Sequence, residues 1–188
     1  MSIKVCIDAG HGGKDPGAVL GKRYEKNDTL KFAKRLGKVL KANGVEVAYT
    51  RTADTYDSPS EKARNGNNTK ADFFVSVHRN ASVNASAHGT EVLVYNKKGI
   101  KHTIAENICK GFKKIGFTDR GVKVQPTLAV LRGTNMQAVL VEVGFITNND
   151  DNKLFDEKFY AAVNVVAREI CKAYNIDFKT ITEINANK

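Results

Sequence analysis

Two histidines in this chain each follow a run of apolar residues that is typical of a buried strand. His11 comes after residues 3–8 and lies among glycines, and His78 comes after residues 73–77. Neutral imidazole is a common ligand of zinc, and two imidazoles need at least one further protein ligand. In an open α/β sheet, binding sites gather beyond the carboxyl ends of the strands. The two histidines therefore predict a metal site at that end of a sheet.

A carboxylate lies inside a third apolar run. Glu142 stands within residues 139–143, and a buried carboxylate is costly unless it is paired, hydrogen-bonded or bound to a metal. The simpler alternative is a structural ion pair with Arg51 or Arg132. The position of Glu142 suits either a zinc ligand or a general base with a raised pKa.

The identity of the third ligand stays open when only the residues are considered. Glu25 lies where a glycine-rich segment gives way to a helix, although a glutamate there is also favourable simply as a charge near a helix N-terminus. Glu142 is the other main candidate, and Asp8 and Asp15 are further ones. The residue types do not choose among these four carboxylates.

The remaining histidines, one further glutamate and the cysteines are expected to face solvent or to fill the core. We expect solvent-facing positions for His88, His102 and Glu91. Three cysteines are too few and too far apart for a disulfide framework or a cysteine zinc site, and we expect them to fill the core: Cys6, Cys109 and Cys171. The chain also lacks the His-Glu-x-x-His, Cys-x-x-Cys and Gly-x-Ser-x-Gly motifs, which disfavours thermolysin-like proteases, zinc ribbons and serine hydrolases.

Strands that alternate with helices predict an α/β fold: a single domain with a mixed, mostly parallel sheet and helices on both faces. The predicted strands are residues 3–8, 45–50, 73–77, 90–95, 128–131 and 139–143. The predicted helices are residues 27–43, capped by Asn27 or Asp28, then 58–69, 100–114 and 157–173. Residues 116–126 are predicted to be irregular and basic. We expect the domain to span residues 1–175, and residues 176–188 to be a tail or the start of a linker.

Composition limits the class of protein and of partner. The chain has 188 residues, of which 41% are hydrophobic, and this suffices for one sizeable core. Its formal net charge of +10 predicts attraction to polyanions, which could be nucleic acid, anionic lipid or an anionic cell-wall polymer. No apolar run approaches the roughly 20 residues needed to cross a bilayer, and no signal peptide is visible.

Several longer motifs, in this order along the chain, resemble a known family. They are residues 7–18 (IDAGHGGKDPGA), 25–27 (EKN), 50–51 (TR), 76–78 (SVH) and 141–148 (VEVGFITN). Over residues 1–175 the chain is similar to the zinc-dependent N-acetylmuramoyl-L-alanine amidases, the peptidoglycan amidases of bacterial autolysins and phage endolysins. The resemblance implies a sheet of about six strands with flanking helices, similar to that of the zinc exopeptidases.

The resemblance also implies an activity and a role for each site residue. His11, Glu25 and His78 would be the ligands of a Zn²⁺ cofactor, and Glu142 would be the catalytic glutamate, the general base for a zinc-activated water. The reaction would be hydrolysis of the amide bond between N-acetylmuramic acid and the L-alanine of the stem peptide, which lyses the cell wall.

The same resemblance sets the expected partners and location. The partners would be peptidoglycan and anionic cell-wall polymers, with no nucleic acid, and residues 176–188 are compatible with a linker to a C-terminal wall-binding domain. An enzyme of this kind without a signal peptide would accumulate in the cytoplasm and leave through a holin or on lysis of the cell.

Three positions depart from the family pattern: Arg79, Gln137 and Ser60. None of them removes a ligand, and we expect Arg79 and Gln137 to alter the substrate groove. Two other functions compete with the amidase. One is a zinc exopeptidase on a similar sheet, and the other is a basic binding module in which the histidines are structural.

Overall fold

A six-stranded sheet forms the centre of the molecule in this computed structural model, which describes residues 3–186. The strands are β1 (Lys4–Ala9), β2 (Val19–Leu20), β3 (Arg23–Tyr24), β4 (Glu46–Tyr49), β5 (Phe73–Asn80), β6 (Thr90–Val94), β7 (Asp119–Val124) and β8 (Gln137–Phe145). The helices are α1 (Glu25–Ala42), α2 (Pro59–Asn68), α3 (Ile100–Lys114), α4 (Ala129–Gly133), α5 (Asn149–Glu157), α6 (Phe159–Ala173) and α7 (Ile181–Ala186). Strands β2 and β3 form a separate hairpin.

The sheet is mostly parallel, with strand order β4-β1-β5-β8-β6-β7. Strands β4, β1, β5 and β8 run parallel to one another, β6 is antiparallel to β8, and β7 is parallel to β6. The predicted α/β fold with a mixed sheet of about six strands is therefore confirmed. The carboxyl ends of β1, β5 and β8 meet at one edge of the sheet. His11 follows β1 there, and His78 and Glu142 lie in the last part of β5 and β8.

Helices cover both faces of the sheet. On one face, α1, α3 and α6 form the larger apolar cluster, which includes Val139, Val141 and Val143 of β8. The other face, covered by α2 and α4, carries a smaller cluster that includes Leu140. Because strand residues alternate between faces, Glu142 belongs to the face of α2 and α4. The three cysteines are buried and unpaired, as expected of core residues.

Helix α1 begins earlier than predicted. Its first residue is Glu25, so that Asn27 and Asp28 lie inside the first turn and neither caps the helix. The Asp28 carboxylate instead accepts hydrogen bonds from the guanidinium groups of Arg23 and Arg79. The correction matters for the site, because it makes Glu25 part of a rigid helix rather than of a loop.

Two other predictions were wrong, and one was incomplete. The run 128–131 is not a strand, since Leu128 is the N-cap residue of helix α4 and residues 129–131 lie inside that helix. A run of four apolar residues fits either structure. The segment 116–126 contains β7, an edge strand whose residues are mostly exposed and so lack an apolar alternation. Helix α6 was predicted as 157–173, but the separate helix α5 precedes it.

The segment after residue 175 is described as far as residue 186. Ile176, Phe178 and Ile181 pack against the larger apolar cluster, and Ile181 is the first residue of α7. Among the helices of residues 3–186, none combines the length and the apolar character needed to cross a membrane.

Candidate active site

His11, Glu25 and His78 come together at the carboxyl ends of β1 and β5. Glu25 Oε2 lies 3.0 Å from His11 Nε2, and Glu25 Oε1 lies 3.0 Å from His78 Nδ1. The imidazole rings meet edge to face, with centroids 4.9 Å apart. One possible ligand atom from each residue lies within 4.8 Å of the others. These three side chains could therefore hold a metal ion.

Two glycines leave the space that this group occupies. A Cβ atom at Gly10 would overlap the ring of His78, and a Cβ atom at Gly17 would lie 2.6 Å from Glu25 Oε2. His11 itself has a φ of 59°, a left-handed conformation that residues with a side chain seldom adopt. Backbone conformations of this kind are concentrated at functional sites. The glycine-rich loop is thus folded so that His11 reaches Glu25.

Glu25 is held in place by backbone groups on both sides. Its Oε2 accepts a hydrogen bond of 2.9 Å from the N–H of Ala18, and its Oε1 accepts one of 2.9 Å from the N–H of Arg79. Burial by itself would raise the pKa of Glu25, but the hydrogen bonds and charges of His11 and His78 outweigh burial and hold the pKa well below its usual range. Glu25 is therefore a carboxylate at neutral pH, as a metal ligand must be.

The negative charge of the site acts on both histidines. Burial disfavours the imidazolium form of His11, yet Glu25 and Asp15 outweigh burial and raise its pKa to about 9. The pKa of His78 is also raised, because Glu25 and Glu142 overcome the effect of burial. The same charge attracts cations, and a metal ion would bind in place of the protons.

The two aspartates that the sequence left open have other partners. Asp15 Oδ2 lies 2.8 Å from His11 Nδ1, and its Oδ1 accepts a hydrogen bond from the N–H of Gly17. A carboxylate on one ring nitrogen orients the other nitrogen of a ligating histidine. Asp8 is buried and accepts hydrogen bonds from three side chains, Lys62, Ser76 and Thr50. Asp15 thus supports His11 without being one of the three metal-binding residues, and Asp8 has a structural role.

Glu142 lies beside the metal-binding group, on β8, in register with His78 on β5. Its Oε2 is buried and has no hydrogen-bond partner among the described residues. Burial, together with the charges of Glu25 and Glu91, raises the pKa of Glu142 to about 7. A carboxyl group with this pKa can both take up and release a proton near neutral pH.

The alternative role of Glu142 in a structural ion pair does not match the structure. The guanidinium group of Arg51 donates instead to the backbone oxygens of Ala9 and Gly10. Among residues 3–186, neither Arg51 nor Arg132 forms an ion pair with Glu142. The carboxyl group is therefore unpaired and lies next to the group that could bind a metal.

Glu91 is a residue of this site that sequence reasoning placed in solvent. It stands directly opposite Glu142 in the antiparallel pair of β6 and β8. Its carboxylate accepts hydrogen bonds from Asn80 Nδ2 at 2.9 Å and from Arg120 Nε at 3.0 Å. Only the register of the two strands brings Glu91 next to Glu142, and no local pattern reveals that register.

The other two histidines lie outside the metal-binding group. His88 is exposed, as predicted, and His102 is half-buried.

A cleft of about 220 Å³ opens beside the two histidines. Its apolar wall is formed by Pro59, Leu128, Ala129, Val130 and Leu140. Neither Arg79 nor Gln137 lines this cleft, and the expectation that they alter the substrate groove stays a prediction. The Arg79 side chain is buried against α1 and α5, and Gln137 is the first residue of β8, at the opposite edge of the sheet.

Comparisons with known proteins agree with this geometry. A family model described as N-acetylmuramoyl-L-alanine amidase matches residues 5–174. The chain is 40% identical over 162 residues to an endolysin of Bacillus phage SPP1, and the match covers 82% of this chain and 59% of the endolysin. It is 37% identical over 163 residues to a probable cell wall amidase, LytH, of Staphylococcus epidermidis, covering 85% of this chain and 53% of that protein.

A solved structure shows the same fold along almost the whole chain. The catalytic domain of CwlV, an N-acetylmuramoyl-L-alanine amidase from Paenibacillus polymyxa, superposes with a TM-score of 0.85 at 36% identity, covering 94% of this chain and 100% of that domain. The chain spans little more than half the length of the phage and staphylococcal proteins. By its family match and its structural likeness, the chain belongs to the N-acetylmuramoyl-L-alanine amidase family.

Proposed function

We propose that this chain is a zinc-dependent N-acetylmuramoyl-L-alanine amidase. It would cleave the amide bond between N-acetylmuramic acid and the L-alanine of the peptidoglycan stem peptide. The observation that carries the proposal is the group of His11, Glu25 and His78 with the unpaired Glu142 beside it. The family match and the names of the relatives, which include a sporulation-specific N-acetylmuramoyl-L-alanine amidase of Bacillus subtilis, support the choice of substrate.

The donor set fits zinc. Two imidazole nitrogens and one carboxylate oxygen are the three protein ligands found at many catalytic zinc sites, where a fourth position stays open. The orientation of His11 by Asp15 is the support that zinc-ligating histidines usually have. When bound, zinc would supply Lewis acidity, which polarises a carbonyl group and lowers the pKa of a water toward roughly 7.

Glu142 would move the proton that the reaction requires. As the water attacks the lactyl carbonyl carbon, the carboxylate takes its proton. The C–N bond then breaks, and Glu142 returns the proton to the nitrogen of the departing L-alanine. The pKa of about 7 suits both steps. The glutamate is regenerated, and one water is consumed for each amide bond.

We also propose that residues 1–175 form the catalytic unit and that the protein acts at the cell wall. The extent of the family match, residues 5–174, supports the first proposal. The net charge of +10 supports a second, polyanionic partner besides peptidoglycan. The family match, and not the charge, favours the anionic polymers of the wall over nucleic acid.

Digestion of purified peptidoglycan, followed by mass spectrometry of the products, tests the reaction. Wild-type protein with zinc is expected to release stem peptides with a free L-alanine amino group and to leave glycans with free lactyl carboxylates. The Glu142→Gln variant is the control and should release neither. New reducing sugar ends would show a glycosidase, and release of single amino acids from free peptides would show an exopeptidase; either result would overturn the proposal.

A further inference from the structure

The outer face of α1 carries several positive charges. The helix has six basic and two acidic residues, and both acids, Glu25 and Asp28, lie in the first turn. Glu25 belongs to the metal-binding group, and Asp28 is bound by Arg23 and Arg79. Past the first turn the helix has no acid, and its five basic residues form a row on the outer face: Lys31, Lys34, Arg35, Lys38 and Lys41.

Among residues 3–186, no member of this basic row forms a close ion pair with a carboxylate, although the charge of Lys31 acts on Asp156 from farther away. Lys31 and Arg35 lie over the rings of Phe159 and Tyr160, contacts that leave their charges unneutralised. The nearby carboxylate of Asp156 is already held by the guanidinium group of Arg23. Like charges three and four residues apart repel each other on a helix. A bound polyanion would relieve that repulsion.

The row is straight and lies close to the candidate active site. With a rise of 1.5 Å per residue, the Cα atoms of Lys31 and Lys41 are about 15 Å apart along the helix axis. Glu25 is the first residue of the same helix, so the row begins about 9 Å from it along the axis. A linear ligand on this face would therefore run away from the site along one helix.

The chemistry of α1 favours a polyanionic polymer over a membrane surface. An amphipathic helix binds a bilayer through its apolar face, but the apolar face of α1 is buried in the core. The buried residues are Phe32, Ala33, Leu36, Val39 and Leu40. Single-stranded nucleic acid is held by successive aromatic rings, whereas Tyr160 is one exposed ring beside the row.

We propose that the basic row of α1 binds a linear, phosphodiester-linked polymer of the cell wall. The inference rests on the proposed function in one respect, because action at the wall brings the protein to such polymers. Phosphate groups along the polymer would face successive lysines, and the attraction would weaken as salt is added. Binding beside the site would keep the enzyme on the wall between cleavage events.

The test measures binding of a fluorescent poly(glycerol phosphate) to the full chain at low salt by anisotropy. A variant with Lys31, Lys34 and Lys38 changed to Glu should bind at least about tenfold more weakly. The matched control reverses three exposed lysines that line a separate cleft between α3 and α6: Lys110, Lys114 and Lys172. The control has the same net charge and should stay within about twofold of wild type, because it leaves the row intact. A Lys→Gln triple variant at the row should show a smaller loss.

Several outcomes would overturn the inference. Equal losses in the two charge-reversed variants would indicate a general charge effect, and no loss at the row would place the binding elsewhere. Tighter binding of DNA of matched length, or of anionic phosphatidylglycerol vesicles, would indicate the wrong partner. Hydrolysis of polymer-free peptidoglycan by the wild type tests the proposed function separately. A protein that binds the polymer but cleaves no peptidoglycan would therefore contradict the proposed function and still support the proposed binding surface.

Discussion

Two glutamates lie within one site, and their surroundings give them opposite properties. Glu25 receives two backbone hydrogen bonds and contacts two histidines, so its pKa is held low. Glu142 has a buried oxygen with no partner and lies near the charges of Glu25 and Glu91, so its pKa rises to about 7. Environments that separate the pKa values of two carboxyl groups assign them different roles. Glu25 suits a metal ligand, and Glu142 suits a proton carrier.

Replacing Glu142 by Gln should abolish proton transfer while keeping the shape of the side chain. We expect kcat on peptidoglycan to fall by about 10²–10⁴-fold, the usual contribution of a general acid–base group. The melting temperature should not fall, because the change replaces a carboxyl group whose Oε2 atom is buried without a hydrogen-bond partner. Glu106→Gln, on the exposed side of α3, is the matched control and should keep wild-type activity. A variant at position 142 with more than a tenth of the wild-type kcat would contradict this role.

At the scale of elements, Arg79 joins three parts of the chain behind the site. Its side chain, 1% exposed, donates to Asp28 on α1 at 2.7 Å and to Asn152 on α5 at 2.7 Å. The guanidinium group also lies over the ring of Phe155, 4.2 Å from the centroid. Burial lowers the pKa of Arg79 to about 10, which still leaves it charged at neutral pH. The residue therefore clamps α1 and α5 against the end of β5.

Arg79→Met should destabilise the fold by about 3 kcal/mol, because it removes one partner of a buried ion pair. Urea unfolding followed by circular dichroism measures the loss. Arg64→Met is the control: Arg64 is exposed, its ion pair with Glu61 spans 3.9 Å, and its loss should change stability by less than about 0.5 kcal/mol. Similar losses in both variants would argue against the clamp.

Sequence reasoning succeeded where periodicity is strong and failed where tertiary contacts decide. The helix predicted at 100–114 matches α3, because its apolar residues recur at helical spacing over four turns. The run 128–131 is too short for such a pattern. The third member of the metal-binding group could not be chosen from the residues, because the position of Glu25 depends on how the β2–β3 hairpin returns the chain to Ala18. Only the family resemblance favoured Glu25.

At the scale of the whole molecule, the net charge of +10 should govern adsorption to an anionic wall. The Debye length falls from about 10 Å at 0.1 M salt to about 3 Å at 1 M, so the charges of exposed lysines act over a much shorter distance. We expect the fraction of protein that sediments with purified walls to drop steeply between about 0.05 M and about 0.5 M salt. Walls stripped of phosphodiester polymers should retain less protein at low salt. Retention that does not respond to salt would point to apolar contacts instead.

Glu25 and Glu142 are assigned different roles, metal ligand and proton carrier, and the amount of bound zinc distinguishes these roles directly. The metal content of purified wild type, Glu25→Gln and Glu142→Gln, after equal zinc loading and dialysis, should be determined by mass spectrometry. We expect about one zinc per chain in the wild type and in Glu142→Gln, and much less in Glu25→Gln, because Glu25 is one of three proposed ligands. Full zinc in Glu25→Gln, or its loss from Glu142→Gln, would contradict the assignment.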